Sequence, residues 1–131
     1  MIGLLVGALA IQATTVINCR DPQTQMEINH CAMQAYQRAD AEMTRQWKIA
    51  VADAKSSDKQ SRLSWDKRPG YFSALLDGQR AWLRFRDAHC ISAGYRARGG
   101  SMEPMLVAIC KKELTDARAK QLRDLLKGWG E

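Results

Sequence analysis

Apolar residues in this chain recur at intervals of three and four and nowhere alternate, so its hydrophobic pattern builds helices and offers nothing for a half-buried strand. Ile28, Cys31, Ala32, Ala35, Ala39, Met43, Trp47 and Ala50 form one such stripe. Ahead of it stands Thr24-Gln25-Met26-Glu27, a capping box in which the Thr hydroxyl accepts from the amide three residues on while the Glu carboxylate reaches back. The spacing predicts a first helix from Gln25 to about Ala54. Residues 55–70 are polar, end in Pro69-Gly70, and read as a loop with one turn near Leu63 and Trp65. Phe72, Leu75, Leu76, Gln79, Trp82, Phe85, Cys90 and Ala93 predict a second helix from Tyr71 to just before Gly99-Gly100, where a positive φ costs little. Ser101 or Glu103 is the expected cap of a third helix, with Pro104 in its first turn. Leu106, Ile109, Cys110, Leu114, Ala117, Leu122, Leu125 and Leu126 carry that helix to about Lys127, with a candidate break near Thr115. The expected fold class is all-α, a small bundle of three main helices.

Residues 2–17 carry no charge, and Ile2 to Ile11 is an apolar run. It is too short to cross a bilayer core of roughly 30 Å, which needs about 20 apolar residues as a helix. It has the length of a signal-peptide core, with Ala8, Ala10 and Ala13 as small residues for cleavage, although only the terminal amine precedes it as positive charge. Residues 1–13 read as a signal peptide, with a buried N-terminal strand or helix as the competing assignment. A single helical domain is expected over 19–127. The expected location is periplasmic or secreted.

Four cysteines in a short exported chain read as two disulfides. Three connectivities are open; the sequential one, Cys19–Cys31 and Cys90–Cys110, closes short local loops and staples the second helix to the third. Zinc is disfavoured, because there is no C-x₂-C and the two histidines stand beside cysteines in His30-Cys31 and His89-Cys90, about 100° apart on a helix. A lipid anchor at Cys19 is disfavoured too: Asn18 is a poor residue before an acylated cysteine, and acylation would leave three thiols.

Composition narrows the function classes. Apolar residues at 46% and charged residues at 26% exclude wholesale disorder. The 14 carboxylates are scattered among 20 basic residues, and no Ser/His/Asp set, Walker A loop or HExxH motif is present, so neither catalysis nor a cofactor or metal is expected. The net charge of +6 permits weak binding to polyanions, but a specific nucleic-acid partner is not expected. Asp40 and Arg86 are expected to pair between the first two helices, with Asn29 and Gln79 in the same polar layer. Trp82 and Phe85 read as a core aromatic pair under the stem of Arg86. Arg96, Arg98, Lys111 and Lys112 flank the inter-helix loop as a candidate basic patch, weighed against an ordinary solvated face.

Gln79-Arg80-Ala81-Trp82-Leu83-Arg84-Phe85-Arg86-Asp87-Ala88-His89-Cys90 carries a resemblance. Together with Glu27-x-Asn29-x-Cys31, Tyr36, Ala39-Asp40, Gly99-Gly100-Ser101, Cys110, Thr115 and Arg118, it resembles the N-terminal domain of the LprI-like lysozyme-inhibitor family over residues 19–126. The resemblance implies a small, mostly helical, exported bacterial protein with disulfides. It departs from the usual pattern in lacking a good lipobox, in Thr44-Arg45 where Leu-Asn is common, and in a longer, more basic segment at 55–70. Two activities follow as expectations. The resemblance implies inhibition of a lysozyme-type muramidase; because two basic proteins repel at long range, a local acidic contact is needed, and loop 99–104, with Ser101 and Glu103, is the nearest candidate. The alternative is an envelope module that recognises anionic lipid or glycan, or another envelope protein, through the basic face.

Overall fold

The computed structural model describes residues 16–61 and 64–127; the segment 1–13, read above as a signal peptide, lies outside the described residues. The elements are α1 (Gln25–Gln60), α2 (Tyr71–Gly94), a 3₁₀ turn (Tyr95–Ala97) and α3 (Glu103–Asp124), with no strand among the described residues. The capping box forms as expected: Glu27 N–H donates to Thr24 Oγ1 at 3.2 Å, and Thr24 N–H donates to Glu27 Oε2 at 3.1 Å. Among the described residues, no helix is long and apolar enough to cross a membrane.

At its far end α1 runs six residues beyond the expected Ala54. Ala54 is buried, and one turn later the Asp58 carboxylate accepts from the backbone N–H groups of Tyr71 at 2.7 Å and Phe72 at 3.1 Å. The polar last turns of α1 therefore cap the start of α2, whose own N-cap, Gly70, has no side chain for the purpose. Lys55 lies over the Phe72 ring at 4.8 Å and fastens the same junction. Composition alone suggested loop because its partners come from another helix.

α2 stops at Gly94, earlier than the Gly-Gly signal. A Cβ there would lie 2.5 Å from Val107 Cγ2, so this glycine permits close approach of α2 to α3. Gly99 takes the positive φ, 77°. Neither Ser101 nor Glu103 caps α3; the N-cap is Met102, without a side-chain bond, and the Glu103 carboxylate instead accepts from Gly99 N–H at 2.7 Å. Nor does α3 break at Thr115, whose fully buried hydroxyl accepts from Arg86.

α1 and α3 share the most extensive interface and run parallel, their starts joined by Gln25–Met105 and Asn29–Ser101 contacts, while α2 begins at the end of α1 and returns antiparallel to both. Small residues, Ala39, Ala50 and Ala54 on α1 and Ala108 and Ala119 on α3, are buried and let backbones approach; Met43 and Leu122 fill the middle, and Trp47, Leu75 and Trp82 close over them. Phe85 corrects the expected aromatic pair: it is 54% exposed and stacks on His89, its ring centroid 5.2 Å away, on the outer face of α2. The cysteines pair sequentially, Cys19–Cys31 and Cys90–Cys110, each with Cα atoms 5.4 Å apart. Cys90 is fully buried, so the second bridge joins α2 to α3 inside the bundle.

Candidate functional site

Arg86 is where the three helices meet. Its side chain is only 7% exposed, and its guanidinium reaches carboxylates on two elements: NH1 to Asp40 Oδ1 on α1 at 3.2 Å, and Nε to Asp87 Oδ1 on α2 at 3.0 Å. NH1 also donates to Thr115 Oγ1 on α3 at 3.4 Å. The same cation lies 5.1 Å from the Trp82 ring centroid and 5.5 Å from that of Tyr36. Lys111 joins from α3, 3.6 Å from Asp87 and 5.7 Å from the Tyr36 centroid. Two cations thus face two carboxylates, and no buried side-chain nitrogen or oxygen among the described residues lacks a partner. Burial lifts the Tyr36 phenol above its ordinary pKa, against the opposing pull of Arg86. A charge-balanced hub of this kind holds helix register.

Gln79 continues this polar layer, but Asn29 does not. The Gln79 amide nitrogen contacts Met43 Sδ at 3.3 Å, and its Oε1 accepts from Arg118 Nε at 2.9 Å. Asn29 sits at the other end of the bundle, accepting from Gln25 Nε2 at 2.8 Å and donating to the Ser101 carbonyl at 2.9 Å. Its amide thereby pins the α2–α3 connection to the start of α1, which is the physical reason that the two amides part company.

That connection is the most strongly pre-set exposed feature of the described chain. Gly99 N–H donates to Glu103, Gly100 N–H donates to the Ala97 carbonyl at 2.8 Å, Asn29 holds Ser101, and the Cys90–Cys110 bridge closes its base. Tyr95, Arg96, Arg98, Ser101 and Met102 stand exposed on it, with the Arg98 guanidinium 4.5 Å from the Tyr95 ring centroid. The four basic residues expected as one patch are divided. Lys111 pairs with Asp87, and Lys112 with Asp116 at 2.6 Å, while Arg96 and Arg98 form no ion pair among the described residues. The described residues also hold no group of three or more His, Cys, Asp or Glu side chains able to bind a metal ion.

Comparison with known proteins decides the family. The model of the family described as Lysozyme inhibitor LprI matches residues 18–122, which span both disulfides, the Arg86 hub and the α2–α3 loop. The chain belongs to the LprI family. A relative from Rhizobium meliloti (strain 1021), an uncharacterized protein, is 43% identical over 109 residues, covering 83% of this chain and 78% of its own. No solved structure matches. The family is described by inhibition of lysozyme.

In this LprI member several residues that build the site had no structural role or partner assigned from the sequence. Tyr36 lies one turn before Asp40 on the same face of α1, a spacing visible in the sequence. Thr115 and Arg118 stand among the residues that carry the resemblance, and Asp58 lies in the segment read as loop, but nothing local pointed to their partners, which are 29, 39 and 13 residues away.

Proposed function

We propose that this protein is an exported inhibitor that binds a lysozyme-type muramidase and enters its cleft with the α2–α3 loop. The observation that carries this reading is the rigidity of that loop, held by three hydrogen bonds and a disulfide while its tip stays exposed. A loop already ordered before contact loses little conformational entropy on binding, and that saving appears as affinity. Muramidases of this type work with a pair of carboxyl groups in the cleft. Arg96 and Arg98 are complementary to such a cleft, whereas Glu103 has its carboxylate turned inward onto Gly99 N–H. The contact set is therefore Arg96, Arg98 and Ser101, with Glu103 as the brace that shapes the loop. An anionic lipid or glycan gains less from this arrangement, since Lys111 and Lys112 already have carboxylate partners.

The test is titration of the oxidised protein into a lysozyme turnover assay, with Arg98→Glu as the paired variant. Inhibition is expected for the native chain and a large loss for the variant. Because both proteins are basic, the association rate rises with added salt while repulsion is screened. Absence of inhibition at tens-of-micromolar protein overturns the reading.

A further inference from the structure

At the opposite end of the bundle from the loop, α1, α2 and the last turns of α3 enclose a groove of about 410 Å³, within the range of small-molecule sites. Ala54, Leu75, Leu125 and Leu126 line it, and its only charged residues are Arg118 and Asp53. Leu125 is 62% exposed and Leu126 37%, an apolar surface left wet beside the groove. Arg118 is half-buried there, yet both of its side-chain hydrogen bonds go to neutral amides: Nε to Gln79 Oε1 at 2.9 Å and NH1 to Gln121 Oε1 at 3.2 Å. Arg86, one layer away, has two carboxylates; Arg118 has none within ion-pair distance among the described residues. Burial accordingly lowers the pKa of Arg118, whose guanidinium also lies 5.9 Å from the Trp82 ring centroid but meets no carboxylate among the described residues. Asp53 stands exposed in water, where its repulsion of an anion is screened.

We propose that this groove binds a single-chain amphiphile ending in a carboxylate, its alkyl chain along Leu75, Leu125 and Leu126 and its head on the Arg118 guanidinium. An apolar trough alone accepts any apolar guest. The cation at its inner wall, which has no carboxylate partner, selects an anionic one, because a charge-assisted bond from a half-buried guanidinium is stronger than the amide and ring contacts it now makes. The site is separate from the α2–α3 loop and does not rest on the inhibitor reading.

Calorimetric titration with decanoate, and with decan-1-ol as the uncharged control, tests it on the intact oxidised protein. Decanoate should bind more tightly than decanol. Arg118→Gln should weaken decanoate by roughly tenfold or more and leave decanol unchanged. Gly78→Leu is the blocking variant: Gly78 lines the groove, a Cβ there meets nothing within 4 Å, and leucine raises helix propensity. It should abolish binding of both compounds while helicity is retained. Equal binding of decanoate and decanol, undiminished decanoate binding by either variant, or no decanoate binding by the native chain would each overturn the proposal. So would self-association of the native chain that Gly78→Leu abolishes, because the occupant would then be a second copy.

Discussion

Replacing Arg86 tests how the bundle is held together. In Arg86→Ala two ion pairs disappear, to Asp40 and Asp87, but those carboxylates are 43% and 52% exposed and return to water. Each pair is therefore worth about 0.5 kcal/mol, as at a surface. The fully buried Thr115 hydroxyl loses its donor, at about 1 kcal/mol. The guanidinium faces of Trp82 and Tyr36 lose a cation–π partner, together about 1 kcal/mol, and the cavity left by the stem adds to this. With the cavity included the expected loss is about 4 kcal/mol, within the range for breaking a buried pair. Arg86→Met loses the same guanidinium contacts but keeps most of the stem, and so should lose about 3 kcal/mol. Urea unfolding followed by circular dichroism measures both, through the midpoint at unchanged m. Losses below about 1 kcal/mol for both variants would refute a central role for Arg86. A loss above about 5 kcal/mol for Arg86→Met would refute the claim that the stranded carboxylates rehydrate.

Other expectations are independent of the hub. Removing Cys90–Cys110 by paired serine substitution should cost about 3 kcal/mol from loop entropy alone, whereas removing Cys19–Cys31 should cost under about 1 kcal/mol in global unfolding, because the exposed segment before Thr24 detaches without opening the core. Asp58→Ala should cost about 1 kcal/mol as the cap of α2 is lost; Gly70→Ala, whose Cβ would sit 2.6 Å from Asp58 Oδ1, should displace the same cap, so the double variant should be less destabilised than the sum of the two. Hydrogen bonds from the Arg68 side chain and backbone lower the Asp66 carboxyl to about 2, so the local turn they stabilise should persist from neutral pH down through the ordinary carboxylate range and be lost as pH falls through about 2. Carboxyl titration by NMR checks this, and Arg68→Gln should return the midpoint toward 3.8.

What was legible in the sequence was whatever is written within four residues. The Thr24–Glu27 box, the stripe through Met43 and Ala50 and the glycine at position 99 all depend on neighbours one or two turns away, so the helical class and the start of each helix within a residue or two could be read directly, whereas the cysteine pairing, 12 and 20 residues apart, stayed open among three connectivities until the structure chose the sequential one. The Asp40–Arg86 pair was also within reach, since opposite charges stand directly beside the apolar stripes of their helices, next to Ala39 and Phe85. Tertiary structure alone decided the rest. It kept α1 helical through Asp58, because that carboxylate is needed 13 residues later; it kept α3 continuous through Thr115, because Arg86 supplies the hydroxyl's partner; and it sent Asn29 to the loop rather than to Gln79. It turned Phe85 outward and left Arg118 facing an apolar groove. These outcomes share one cause: a side chain's final partner is set by how three helices cross, and the separation of such partners along the chain bears no relation to the 3.6-residue period from which the helices themselves are read.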